Sequence, residues 1–292
     1  METGNVREAE ARDEREGTTL VLGGTGKTGR RVAERLAARG LPVRVGSRSG
    51  KPPFDWEDPD TWAPSFEGMH AAYVTFYPDI AVDGSVEAIE GMAERALIAG
   101  CRRLVLLSGR GEVQAERAEA ALQESGADWT VVRCSWFMQN FSEGIYAESL
   151  SAGELALPAG DVHAPFVDAD DIADVVVTAL TEDGHAGRLY DLTGPRAMTH
   201  AEVVAEISAA TGRDLRYEQI TMDAFEAALA EQGLPQDVIA LLRYLFAEVL
   251  IEENATLAEG VQRALGRQPR DFTEFARDAA ARGVWTAPTV PA

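Results

Sequence analysis

The chain has 292 residues, 46% of them hydrophobic, with 27 basic and 48 acidic side chains and a net charge of −21. That length and composition exclude a disordered polymer and suit one α/β domain with a smaller lobe. So acidic a surface repels phosphate backbones and anionic bilayers, and no run reaches the about 20 apolar residues of a membrane span, which argues against nucleic acid and membrane as partners.

Residues 1–17 are charged and lack an apolar stretch, so they read as a disordered leader and not as a secretion signal. Thr18 to Leu22 is a short β-rich run that stops at glycines. Thr28 to Arg39 then carries a helical stripe of Val32, Ala33, Leu36 and Ala37, ended by Gly40, and Leu41 to Gly46 is a second strand. Strand, turn, helix and strand within so few residues make a βαβ unit. Phe54 to Trp56 is expected as a very short third strand and Ala71 to Phe76 as a fourth. A helix follows over Val86 to Ala99, then a strand at Arg103 to Leu107, a helix at Glu112 to Glu124 and a strand at Trp129 to Arg133. Strands that are apolar without alternation are buried on both faces, as in a parallel sheet. The fold class is therefore α/β, a doubly wound parallel sheet with a smaller, mostly helical C-terminal lobe.

After about residue 150 the texture becomes turn-rich. Asp168 to Leu180 reads as a helix opened by acidic residues, Arg188 to Leu192 as a strand, and Thr199 to Thr211, Asp223 to Gln232, Pro235 to Leu250 and Asp271 to Arg282 as helices. The expected division is a dinucleotide domain over 18–150, to which 165–194 returns, and a substrate lobe over 151–164 and 195–292. Cys101 and Cys134 form no spaced metal pattern and read as free thiols of a cytoplasmic protein, and no metal is expected.

The turn between the first strand and first helix reads Gly23-Gly24-Thr25-Gly26-Lys27-Thr28-Gly29. Glycines at 23, 26 and 29 allow a tight turn, close approach of backbone to a pyrophosphate, and close packing of helix on strand. The helix start then offers its N–H groups to the anion. A phosphate loop of the G-x-x-x-x-G-K-[ST] kind is excluded, because Val21 stands five residues before Gly26. The second strand ends in Gly46-Ser47-Arg48, where an NAD enzyme places an acid on the ribose hydroxyls. Arg48 can instead clamp a 2′-phosphate, with Ser47 as a further donor, so NADPH is the expected cofactor. Asp55 and Trp56 either flank the adenine or belong to a surface loop with a packed indole.

GGTGKTGR, SGADWTVVRCSWFMQNF (125–141), PFVDADDIADV (165–175) and GRLYDLTGP (187–195) resemble the NmrA-like group of atypical short-chain dehydrogenases/reductases. The resemblance runs from Thr18 to near the end of the chain. It implies a Rossmann domain, a substrate lobe and NADP(H). It also implies cofactor contacts from Gly23, Thr25, Gly26, Lys27, Thr28, Gly29 and Arg48, with Tyr77 and Ser108 flanking the nicotinamide half. Trp136, Phe137 and Asn140 are implied as a wall for the substrate. Members include NADPH-dependent quinone and dye reductases, and others that sense the dinucleotide without turnover.

The superfamily's Tyr-x-x-x-Lys acid pair is absent, since the two lysines, Lys27 and Lys51, do not lie four residues after a tyrosine. Hydride transfer to a quinone, dye, imine or carbonyl then relies on orientation and proximity. Ser108 either holds the substrate or the nicotinamide amide, or caps the chain; His163 either donates a proton or is a solvated loop residue. The aromatics Trp136, Phe137, Phe141 and Tyr146 either line a cleft for a flat acceptor or pack a core. Expected partners are a small-molecule substrate and a second copy of the chain in a homodimer. The alternative function is a non-catalytic NADP(H) sensor acting through a protein partner.

Overall fold

The computed structural model describes residues 17–287, which form two compact units. The expected disordered leader, apart from Gly17, lies outside the described residues. The first unit comprises the described residues up to Cys134, with Ala169–Asp191 and Gly260–Arg267. Its sheet is built from β1 (Thr18–Leu22), β2 (Val43–Gly46), β3 (Met69–Val74), β4 (Arg103–Gly109), β5 (Asp128–Cys134) and β7 (Arg188–Leu192), in the order β2-β1-β3-β4-β5-β7. The pairs from β2 to β5 are parallel, with Leu22 beside Gly46, Val21 beside Tyr73 and Ser108 beside Arg133. Leu20, Val21, Leu22, Ala72, Val74, Leu104 and Leu106 are buried, as strands covered on both faces require.

Helix α1 (Lys27–Ala38) buries Thr28, Gly29, Val32 and Leu36, one stripe at helical spacing. It is followed by α2 (Trp62–Phe66), α3 (Ser85–Ile98) and α4 (Val113–Glu124). The buried helix α6 (Ala169–Thr181) is tied to α1 by Arg35, which meets Asp170 and Asp174 at 2.7 Å each. Arg267, just after α10 (Gly260–Leu265), binds Asp171 and Asp174 at 2.6 Å.

Residues 54–56 are not the third strand that their apolar character suggested. The segment's donors are engaged elsewhere, the Phe54 N–H with the Ser47 carbonyl at 2.9 Å and the Asp55 N–H with Thr61 Oγ1 at 3.0 Å. The segment turns instead, with an isolated Asp55–Asp58 bridge, and drives Phe54 and Trp56 against each other at 4.9 Å between ring centroids. The strand expected as fourth is thus β3, directly beside β1.

The second unit comprises Ser135–Asp168, Leu192–Glu259 and the described residues from Gln268. It holds α5 (Ile145–Ala152), β6 (Glu154–Leu157), α7 (His200–Thr211), β8 (Arg216–Gln219), α8 (Met222–Glu231), α9 (Gln236–Tyr244) and α11 (Phe272–Ala281). β6 and β8 pair in parallel. Its own core gathers Phe141, Phe166, Phe246, Phe272, Phe275 and Trp285. The single helix expected over Pro235 to Leu250 is α9 followed by a π-helical turn at Leu245–Val249. No helix among the described residues is long and apolar enough to cross a membrane.

Candidate dinucleotide site

In open doubly wound sheets, ligands bind outside the carboxyl ends of the strands, beside the point where the strand order reverses. Here the order reverses between β1 and β3. The turn after β1 is too tight for a side chain at Gly23 and Gly29. A Cβ on Gly29 would lie 2.3 Å from the Gly23 carbonyl oxygen, and one on Gly23 would lie 2.3 Å from Thr75 Oγ1. Gly23 has φ +64°, a left-handed conformation that only glycine adopts readily. Gly23, Thr25 and Gly26 are exposed, Lys27 is half-buried, and Thr28 and Gly29 are buried beneath them.

The start of α1 is open in a chemically informative way. Its N-cap is Gly26, no side chain caps it, and no acid stands in its first turn. The first-turn N–H groups of a helix lack intrahelical acceptors and carry its positive end. The Thr28 hydroxyl is turned inward, accepting from the Tyr73 hydroxyl at 3.0 Å, so what Thr28 offers outward is backbone. This donor set fits a pyrophosphate.

At the end of β2, Arg48 is exposed and its guanidinium lies 5.9 Å from the centroid of the Tyr77 ring. Tyr77 is 70% exposed. That contact sets Tyr77 beside the residue meant for the 2′-phosphate, whereas the family pattern assigned Tyr77 to the nicotinamide half. Ser47 Oγ lies 3.4 Å from Ser49 Oγ, and the Ser47 carbonyl accepts from Gly50 and Phe54. Trp56 is half-buried and donates its indole N–H to the Thr75 carbonyl at 3.0 Å. Asp55 accepts from the Glu57 N–H at 3.1 Å, and its carbonyl accepts the Trp62 indole N–H at 2.6 Å. Both side chains thus serve the loop's own architecture.

Ser108 closes β4 and is 3% exposed. Its hydroxyl donates to Glu119 Oε1 at 2.6 Å. Glu119, buried on α4, is gripped by Arg133 of β5, through Nε at 2.9 Å and Nη2 at 2.5 Å. With its proton committed to Glu119, Ser108 presents lone pairs and can accept a hydrogen bond. The sequence alone gives no reason to link Ser108 with Glu119 or Arg133. Only the register of β4 on β5, which sets Ser108 opposite Arg133, joins the three.

In the second unit, Trp136 is half-buried, with ring centroids 5.3 Å from Phe246 and 6.3 Å from His200. Phe137 is half-buried and bridges to Val167; Asn140 is half-buried in the short turn that follows. Tyr146 is buried against Phe141, and burial pushes its phenol well above its usual range. His163 has a side chain 43% exposed, and its Nδ1 lies 3.0 Å from Glu252 Oε1. That carboxylate raises the imidazole above its ordinary value. Sequence reasoning missed His200, which is fully buried and whose two ring nitrogens have no hydrogen-bond partner. Burial lowers it to about 4.

A family model described as the NmrA-like family matches residues 116–276. An NAD(P)H azoreductase of Xenophilus azovorans is 32% identical over 286 residues, 90% of this chain and 98% of that protein. Among solved structures, triphenylmethane reductase of Citrobacter sp. complexed with NADP(H) has a TM-score of 0.71 at 17% identity, covering 90% of this chain and 99% of its own. NmrA, a negative transcriptional regulator, has a TM-score of 0.67 at 17% identity, covering 92% and 98%. At such identities the two structures attest a shared fold.

Proposed function

The chain belongs to the NmrA-like family, and from that premise we propose that it is an NADPH-dependent reductase of a small conjugated acceptor, such as an azo compound, a quinone or a cationic dye. The observation that carries the reading is the start of α1: three glycines, two of them with no room for a Cβ, beneath an uncapped helix end free of acid. That is a built anion site, and Arg48 at the end of β2 supplies charge for a 2′-phosphate. The likeness to an NAD(P)H azoreductase, nearly end to end, supports both cofactor and reaction class.

In this reading the backbone of Gly23, Thr25, Gly26, Lys27, Thr28 and Gly29 holds the pyrophosphate. Ser47, Arg48 and Tyr77 hold the phosphorylated ribose, with Asp55 and Trp56 shaping the loop beneath. Ser108, its hydroxyl proton held by Glu119, accepts a hydrogen bond from the carboxamide and fixes the ring's orientation. NADPH, when bound, supplies the hydride. Trp136, Phe137 and Asn140 are the residues proposed to contact the acceptor, while the buried Tyr146 supports them through Phe141. Hydride transfer from a positioned donor gains most of its rate from orientation.

The test is NADPH consumption by the purified protein with quinones, azo and triarylmethane dyes, aldehydes and imines, with NADH in parallel. Enzyme-dependent consumption with one acceptor class, faster with NADPH, is the expected result. Protein that binds NADPH yet consumes none with any acceptor would overturn the reading in favour of a dinucleotide sensor.

A further inference from the structure

The sequence lacks the tyrosine and lysine that donate the proton in related enzymes, and the first unit holds an acid for which the fold shows no structural employment. Glu112 precedes α4, three residues after the end of β4. It is 8% exposed, and its Oε2 is buried with no hydrogen-bond partner. The carboxyl is folded back over the strand end. A Cβ on Gly109 would meet Glu112 Oε2 at 2.1 Å and Oε1 at 2.3 Å, so in this conformation the carboxyl fills the space that a side chain at 109 would take. Gly109 follows Ser108 directly, at the carboxyl end of β4, which borders β3 in the half of the sheet beyond the reversal point.

We propose that Glu112 is the proton donor of the reduction, resting on the reductase reading above. An unpartnered carboxylate oxygen in such a place carries a large desolvation cost, which protonation removes. The charged groups around it act in the same direction. Asp79, in the loop after β3, and Glu119, on α4, both oppose a second negative charge, and burial with these two neighbours pushes Glu112 up to about 8. Asp79 is itself raised by burial. Cys134 of β5 feels Glu112 and Asp191, and its thiol is raised by burial. Arg133 is committed to Glu119, and Arg110 meets Asp191 at 3.4 Å.

The step balances as follows. With a neutral azo, quinone, imine or carbonyl acceptor, the double bond takes a hydride at one atom, with the two electrons that reduce it, and its other atom becomes anionic; a cationic dye is neutralised by hydride alone and draws no proton. The Glu112 O–H bond breaks and its proton goes to that atom. Glu112 is left as a carboxylate facing Asp79 and Glu119, which favour its return to the protonated form, and it recovers a proton from solvent.

The experiment pairs the protein alone with turnover. Infrared difference spectra of wild type against Glu112→Gln, titrated from pH 6 to 10 without cofactor, should show a protonated-carboxyl band that disappears near pH 8. Turnover by wild type should fall as pH rises through the same range. Glu112→Gln, with unchanged NADPH affinity, should lose about 100-fold in kcat at neutral pH, as removal of a general acid does, and lose that pH limb. Glu112→Asp should retain part of both. Absence of a titrating band near pH 8, or turnover of Glu112→Gln with the wild-type pH profile, overturns the assignment and leaves the reductase reading standing. Wild type inactive with every acceptor overturns the reductase reading, and the donor role with it.

Discussion

The residues proposed to hold the cofactor act through charge and through room. Arg48 is exposed and, among the described residues, has only a cation–π contact with Tyr77 to orient it, a contact worth about 0.5–1 kcal/mol at such a site. Arg48→Asp is therefore expected to leave the fold intact and weaken NADPH binding at least tenfold more than NADH binding, measured by fluorescence titration of both nucleotides. Equal losses would remove Arg48 from the 2′-phosphate. Gly29 acts through space. Gly29→Ala forces a Cβ to within 2.3 Å of the Gly23 oxygen, which the turn relieves only by moving backbone. Both nucleotides should then bind more weakly, and a variant that binds NADPH as wild type does would show the turn to be softer than this geometry implies. Both residues were legible in the sequence because turn chemistry is local: spaced glycines between a strand and a helix need no distant partner to be recognised. Glu112 was not legible, because its meaning depends on Asp79 and Glu119, which the sequence holds 33 and 7 positions away and the sheet brings to one edge.

Among the elements, α7 shows how a helix end can carry both an anchor and a liability. Its capping box is complete: Thr199 Oγ1 accepts the Glu202 N–H at 3.1 Å, and Glu202 Oε2 accepts the Thr199 N–H at 2.8 Å. The next residue, His200, is sealed among Phe141, Phe166, Phe246 and Trp136. An imidazole held neutral in the fold at about 4, against 6.5 when unfolded, takes up its proton more readily in the unfolded chain. Stability from this residue is thus full above pH 6.5 and is lost as pH falls toward 4, by about 3 kcal/mol in total. Glu112 works with the opposite sign, because a carboxyl raised in the fold loses stability as pH rises. The informative measurement is therefore the difference between wild type and His200→Leu in urea unfolding at pH 7 and pH 4.5. The variant should gain on wild type by up to about 3 kcal/mol on acidification; a constant difference would mean that the imidazole is solvated in the folded state. Helical periodicity placed α7 within one residue of its observed start but was silent on His200, since a lone histidine in a helix has no sequence signal for aromatic enclosure.

At the scale of the whole molecule, a net charge of −21 sets charge repulsion against exposed ion pairs such as Arg102–Asp128 and Arg216–Glu154. Exposed pairs contribute little and repulsion among so many carboxylates is long-ranged, so screening should favour the fold. Raising salt from about 0.01 to about 0.15 M, which shortens the screening length from about 30 to about 8 Å, should raise the melting temperature; a fall would show that the paired networks dominate. The sequence by itself determined the βαβ opening, the parallel sheet, the glycine turn and the basic end of β2, because each is written in local periodicity or in residues whose backbone freedom or charge has one use there. It misread 54–56 as a strand, since apolar content was visible but not the partners, Ser47 and Thr61, that take up the N–H groups of Phe54 and Asp55. Tertiary structure drew the bounds of the two units, the second beginning at Ser135 and Gly260–Arg267 joining the first. It alone decided that Ser108, Glu119 and Arg133 form one chain of hydrogen bonds, and that Glu112 Oε2 and both ring nitrogens of His200 are buried without a hydrogen-bond partner among the described residues. Burial and the meeting of distant charges arise only when strands take their register, and these determine which acid holds its proton.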